Sequence, residues 1–212
     1  MANSKDRDFS KNIPVQWEPL PNMQYDILYM DPPWAYEQCL SSQVGIDEFG
    51  KPVLSYSAAQ YQYPTLSIEE LKTLDVPSIC KPDCLLFMWM TGPLIQPAIE
   101  LGNHWGFSFK TFAYVWNKIH PCMGNYTMSQ CEYVGVFKKG KIPQPRGARN
   151  EMQYIEKNRG EHSSKPIEVL RSIERMFPDP LSRIELFARV KVKSWDAWGH
   201  GVQGKEKDFG LF

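Results

Sequence analysis

Residues 25–34, Tyr-Asp-Ile-Leu-Tyr-Met-Asp-Pro-Pro-Trp, constrain this chain more than any other stretch. Tyr25 to Met30 is a short apolar run of strand formers, the pattern of a buried strand. The prolines that follow must end it, because proline has no N–H to give to a sheet. Asp31 therefore stands at a strand's carboxyl end. In open α/β sheets ligands bind at that end, and here it carries an acid, two proline carbonyls and the aromatic plate of Trp34. An amino group conjugated to a purine or pyrimidine ring is a poor nucleophile, because its lone pair is delocalised into the ring. Acceptors for both of its hydrogens restore part of that nucleophilicity. Asp31 and the Pro32 carbonyl suit that role while Trp34 stacks on the base, and the rigid Pro32 and Pro33 keep the acceptors aimed beforehand.

Composition narrows the class. With 212 residues, 42% of them hydrophobic and 23% charged, the chain has the length of one domain and the make-up of a soluble globular protein. No apolar run reaches the length of a membrane span, and the amino terminus lacks a signal peptide's apolar region, so a cytoplasmic location without membrane contact is expected. Formal net charge is zero, whereas a stand-alone duplex binder is usually basic. Either the basic residues gather on one face, or affinity is modest, or a partner supplies the grip. Among the 5 cysteines no Cys-x-x-Cys pair occurs. Cys80 and Cys84 with His104 and His120 are a conceivable zinc set, but buried reduced cysteine is the ordinary case, so no metal is expected.

Taken in order, residues 1–14 are polar and are expected to form a loose arm, and residues 203–212 a carboxyl-terminal tail. Residues 35–62 show no sustained periodicity, as a functional lid would; Tyr56 and Tyr61 either stack on a base or pack the loop against the core. Ser67 to Glu70 reads as a capping box. Strands are expected at Cys84–Met90, Phe107–Trp116, Cys131–Phe137 and Ile184–Ala188, with a loop near the site at His120–Asn125. One helix should start at Pro93 and stop at Gly102, and another should run from Ile167 to Met176 with Pro166 as its first position. Lys138, Lys139, Lys141, Arg146 and Arg149 lie among glycines and prolines, so they form either a solvated basic loop or a phosphate contact, and the second is favoured because a site motif follows. Lys165 at a helix start opposes the helix dipole, which a nearby negative group would explain. Arg189 at a strand end is suited to clamp a carboxylate, the alternative being a surface ion pair. Gly199-His200-Gly201-Val202-Gln203-Gly204 matches a dinucleotide fingerprint, yet too few residues follow for the helix that such a loop must open, so that reading is rejected.

The tetrapeptide Asp31-Pro32-Pro33-Trp34 is followed in order by Tyr63-Pro64-Thr65, Leu86-Phe87-Met88-Trp89-Met90-Thr91, Val134-Gly135-Val136, Ser164-Lys165-Pro166 and Ile184-Glu185-Leu186-Phe187-Ala188-Arg189. In these pieces and their order the chain resembles the MT-A70 family of adenine amino methyltransferases, from about Tyr25 to His200. The resemblance implies S-adenosylmethionine as methyl donor and the 6-amino group of adenine as acceptor. It further implies contact of Tyr63 with the target base, and donor contacts from Asp31, Lys165, Phe187 and Arg189. Where the family usually has an acid before the Val-Gly pair, this chain has Gln130, which can still bond a base edge, with Glu132 nearby; where it usually has Asn for the donor ribose, this chain has His200. No glycine loop joins a strand to a helix here, so the donor follows from the resemblance alone.

The expected fold is a single Rossmann-like α/β methyltransferase domain over residues 15–202, with a mostly parallel sheet, helices on both faces and the family's permuted motif order. The expected activity is methyl transfer to adenine in nucleic acid, in a bacterial or phage-type relative of the family. DNA is favoured over RNA because the chain is compact and has no appended RNA-binding module. RNA, another amino group such as cytosine's, or a non-catalytic subunit serving a partner remain the alternatives, and a homodimer or a methyltransferase-like partner is compatible with the zero net charge.

Overall fold

Every residue of Tyr25–Met30 is buried, as a strand covered on both faces requires. The computed structural model describes residues 17–35, 65–124, 126–160, 164–200 and 202, and the backbone alone of 42–46, 52–55 and 206–207. In chain order the elements are β1 (Tyr25–Met30), β2 (Ser42–Ile46), β3 (Pro52–Ser55), α1 (Ile68–Lys72), β4 (Cys80–Met90), α2 (Ile95–His104), β5 (Ser108–Cys122), β6 (Ser129–Lys139) and β7 (Tyr154–Glu156). Then follow α3 (Ile167–Met176), β8 (Arg183–Leu186), β9 (Lys191–Val192), β10 (Asp196–Trp198) and β11 (Glu206–Lys207).

A 7-stranded sheet has the order β10-β8-β1-β4-β6-β5-β7. β1 lies parallel to β4 and β8, β10 to β8, and β7 to β5, while β6 runs antiparallel to both of its neighbours. The sheet is therefore mixed but mostly parallel. Alternation along the central strands divides the core into two halves. Leu28, Met30, Leu86 and Met88 pack on one face with Ala98 and Leu101 of α2. Ile27, Tyr29, Leu85 and Phe87 pack on the other with Val169, Leu170 and Ile173 of α3. Helices thus cover both faces, and β1 lies inside the sheet between β4 and β8, the latter arriving late in the chain.

Local signals hold where they are self-contained. Ser67 and Glu70 form the capping box, Ser67 N–H donating to Glu70 Oε2 at 2.8 Å and Glu70 N–H to Ser67 Oγ at 3.3 Å. α3 spans the expected residues, with Pro166 as its N-cap rather than its first helical position. Gly102 does not stop α2: it lies inside the helix, where any Cβ would press into the Phe137 ring of β6. The stop comes at Gly106, whose φ of 82° closes the helix as Phe107 N–H reaches the Gly102 carbonyl at 3.0 Å. β5 and β6 run well past their expected ends, so the expected loop at 120–125 is partly strand. Residues 42–46 and 52–55 pair as an antiparallel ribbon inside the span expected to lack regular structure; such local pairing needs no long apolar period. Glu206–Lys207, in the expected tail, pair with β9. A Cβ on Gly199 would collide with the Ala188 backbone, so this glycine lets the end of β10 close on the turn after β8.

Candidate active site

The carboxyl ends of β1, β4, β8 and β10 lie along one rim of the sheet and bring Asp31, Thr91, Phe187, Arg189 and His200 to it. β6 runs the other way, so its beginning, not its end, reaches this rim. That places Glu132 opposite Trp116, next to the end of β5 and its Lys118.

A chain of alternating charges results. Lys118 Nζ meets Glu132 Oε1 at 3.1 Å, Lys165 Nζ meets Glu132 Oε2 at 3.1 Å, and Lys165 Nζ meets Asp31 Oδ2 at 2.9 Å. Side-chain exposure rises along it from 8% at Lys118 through 12% and 16% to 26% at Asp31, so it runs from the core to the surface. Burial would raise the Glu132 carboxyl, but Lys165 and Lys118 outweigh it and hold the group below the ordinary carboxylate range. Burial would likewise lower the Lys165 ammonium, yet Asp31 and Glu132 hold it above the ordinary lysine range. Lys165 also stands 5.3 Å from the centre of the Trp89 ring. The local oddity of a lysine at a helix start is thereby explained by two carboxylates.

The loop after β1 is tied down on both sides. Trp34 N–H donates to the Pro32 carbonyl at 2.8 Å, Leu66 N–H to the Pro33 carbonyl at 2.7 Å, and Ala35 N–H to the Leu66 carbonyl at 2.8 Å. Leu66, directly after Thr65, forms a bridge with Trp34; Tyr63 and Pro64 lie outside the described residues, as do Tyr56 and Tyr61. Trp34 is not the open plate expected from the sequence. Only 8% of it is exposed, it packs in the α2 half of the core, and its indole N–H points to the Trp89 carbonyl at 3.4 Å. An indole gains more from core burial than from solvent, and here it anchors the loop that presents Asp31 and Pro32.

On the β8 side, Phe187 adopts a left-handed backbone with φ 61°, and its ring meets Trp17 edge-on at 5.3 Å and Trp198 at 5.4 Å. His200 is exposed, with its ring 6.5 Å from Trp17. The Trp17 indole nitrogen is buried without a hydrogen-bond partner among the described residues. Glu185, which its motif alone does not mark as a site residue, pairs in register with Tyr29 beside Asp31. Burial, reinforced by the charge of Asp31 and opposed by Arg189, pushes its carboxyl up to about 8. Arg189 is exposed at the same rim. S-adenosylmethionine joins an adenosine to a charged amino-acid head, and this set fits it. Aromatic rings with an unmet N–H suit the base, Glu185 and His200 suit hydroxyls, and Arg189 suits the carboxylate.

Other expected site residues go elsewhere. Gln130 turns its amide N–H to the Ile119 carbonyl at 2.8 Å, so the acid paired with Lys165 is Glu132, one pleat further into the sheet on the same face. Lys138 and Lys139 end β6 opposite Leu85 and Cys84, whereas the site end of the same pairing is Met90 with Tyr133. The two ends are about 20 Å apart at ~3.3 Å per residue. Lys141 N–H bonds Asp83 Oδ1 at 2.7 Å, and Arg146 lies 4.6 Å over the Phe177 ring. Gly147 and Ala148 N–H groups cap α3 through the Met176 and Arg175 carbonyls at 2.9 and 2.8 Å, and Arg149 is exposed beside them. The basic segment thus closes a helix end at the far rim, because an antiparallel β6 carries the chain away from Asp31. Cys80 and Cys84 lie buried in β4, and His104 faces the Lys72 carbonyl at 3.2 Å, so they do not converge with His120.

Comparison with known proteins agrees with this geometry. The MT-A70 family profile matches residues 25–201. The chain is 50% identical over 184 residues, 85% of its length and 78% of the relative's, to the type II methyltransferase M.MunI of Mycoplasma sp.. It is 30% identical over 152 residues to an N(6)-adenosine-methyltransferase MT-A70-like protein of Arabidopsis thaliana, and 29% identical to the human N(6)-adenosine-methyltransferase catalytic subunit METTL3. These two matches cover 67% of the chain but only 22% and 26% of the longer relatives. Since the family's residues run from the first strand of the sheet to its last, this chain belongs to the MT-A70 family and is a methyltransferase.

Proposed function

We propose that the protein transfers a methyl group from S-adenosylmethionine to the 6-amino group of adenine in double-stranded DNA. The observation that carries this reading is Asp31, held through one carboxylate oxygen by Lys165 at 2.9 Å, at the end of the buried strand β1 and beside the Pro32 carbonyl. When bound, S-adenosylmethionine supplies a methyl group on a sulfonium, which is an activated leaving group. Asp31 accepts one hydrogen of the target amino group. The Pro32 carbonyl accepts the other with the lone pair that the Trp34 N–H does not use. Both bonds bias the amino nitrogen's lone pair out of the ring and towards the methyl. Asp31 is also placed to take the proton that the nitrogen sheds once methylated. Lys165 holds Asp31 in position, and Glu132 with Lys118 keeps Lys165 in place. Positioning of this kind supplies about 7–11 kcal/mol of a barrier. Tyr63 stacks on the base in this reading, on the strength of the family motif alone.

The 50% identity to a type II methyltransferase favours DNA. RNA is the second reading, favoured by the 29% and 30% identities to N(6)-adenosine-methyltransferases. Labelled methyl transfer to single-stranded and duplex DNA and RNA, with mass spectrometry of the nucleosides, separates them. Methyladenine in duplex DNA is the expected result. Label in RNA alone would replace DNA by RNA, and absence of both transfer and donor binding would leave a non-catalytic subunit.

A further inference from the structure

The β5–β6 hairpin continues past the sheet at the rim that holds Asp31. Its two roots are fixed there, because Lys118 and Glu132 are links in the charge chain that ends on Asp31. Beyond the roots it carries large apolar side chains in the open: Met123 is 87% exposed, Tyr126 99% and Met128 55%. Soluble surfaces rarely gather such residues on one short turn without a use for them. The hairpin is also free of negative charge. No Asp or Glu occurs between Glu100 and Glu132, while His120 is exposed on the outer part of the hairpin and Arg159 lies against Cys122, in the last pair before the turn.

A paired adenine cannot reach Asp31 from inside a duplex. It must leave the stack, and the gap that it leaves tends to close again. Apolar or aromatic wedges inserted between bases are a general way of holding such a gap open. We propose that Met123, Tyr126 and Met128 form a wedge that enters the base stack of duplex DNA and holds the target adenine in the site. The neighbouring His120 and Arg159 meet phosphates, and the lack of carboxylates removes the repulsion that a phosphodiester would otherwise meet. That charge pattern selects DNA over a protein partner as the occupant. The position selects it too, since the tip stands over the rim through which substrate reaches Asp31. The inference rests on the duplex-DNA reading above.

The test uses a duplex whose methylated site has first been found by exposing a random-sequence library to the wild-type protein. Two substrates are then compared: that duplex, and the same duplex with the target adenine facing an abasic position, which needs little extrusion. The combined variant Met123→Ala, Tyr126→Ala, Met128→Ala removes only exposed side chains, so its melting temperature and donor binding should match the wild type. Its single-turnover rate should fall roughly 10- to 100-fold on the paired duplex and by less than about threefold on the abasic one. A 2-aminopurine at the target position should lose its extrusion fluorescence with the variant, and Tyr126→Phe alone should retain it. Equal loss on both substrates, or loss on neither, with an active wild type overturns the wedge and leaves the DNA reading standing. A change of oligomeric state in the variant overturns it in favour of a protein interface. A wild type that methylates no DNA overturns the DNA reading and the wedge together.

Discussion

β1 carries an aspartate near each end, and the two have opposite fates. Asp26, 7% exposed, receives Lys81 Nζ at 2.6 Å, Ser182 N–H at 2.8 Å and Ser182 Oγ at 2.8 Å. Burial would raise it, but these donors outweigh burial and hold it below the ordinary range. Among the described residues, the lysine that Asp31 meets is Lys165, at 2.9 Å, with the Asp31 side chain 26% exposed and two prolines behind it. One acid lies within β1 and the other directly follows it, and both face a lysine. The difference lies in how many donors the fold supplies: Asp26 is filled by its own chain and ties β1 to β8, whereas Asp31 keeps acceptor capacity facing outward. An acid that folding has satisfied holds structure, and one left partly satisfied at an open rim is available for chemistry.

Removing each acid in turn separates the two roles. Asp31→Ala should lower single-turnover methyl transfer by about 10²–10³-fold while the melting temperature moves little; a folded variant with normal turnover would end the assigned role. Lys165→Met strands Asp31 and Glu132 without their shared cation and should cost about 3 kcal/mol in denaturant unfolding. Asp26→Ala should do the converse of Asp31→Ala. About 1–3 kcal/mol of stability goes with its hydrogen bonds, but the folded fraction should keep its turnover within about threefold.

A smaller effect concerns Glu185. Its carboxyl is raised from 4.5 to about 8, so the folded protein holds a proton that the unfolded chain releases. That contribution is complete below about pH 4.5 and is lost as pH rises through 8, so stability should fall across this window. Glu185→Gln should flatten that slope in melts taken at successive pH values; an unchanged slope would show that the carboxyl is ionised in the native state. The smallest effect belongs to the far rim. Lys138→Ala should change transfer less than about threefold at moderate salt and leave the salt dependence of DNA binding unaltered, where loss of a phosphate contact would lower its slope by about one unit. A loss comparable to that of Asp31→Ala would mean that DNA reaches from one rim to the other.

The sequence by itself determined what depends on neighbours along the chain. The run Tyr25–Met30 and the prolines after it specify a buried strand and its end, and with them the place of Asp31. Ser67 with Glu70, and the apolar spacing within Ile167–Met176, specify helix boundaries for the same reason: their partners are three or four residues away. Motif order carried the family. What crosses strands was settled only by the tertiary structure. The partner of Lys165 is Glu132 rather than Gln130, because the pleat of β6 decides which side chain meets the rim. Lys138, Lys139 and the residues after them leave the site because β6 runs antiparallel, a direction that its own composition does not encode. Trp34 is core rather than plate, and Glu185 is a raised carboxyl beside Asp31, because burial is a property of what packs around a residue. Local periodicity is written in the chain; register, direction and burial arise only when segments far apart in sequence are brought together.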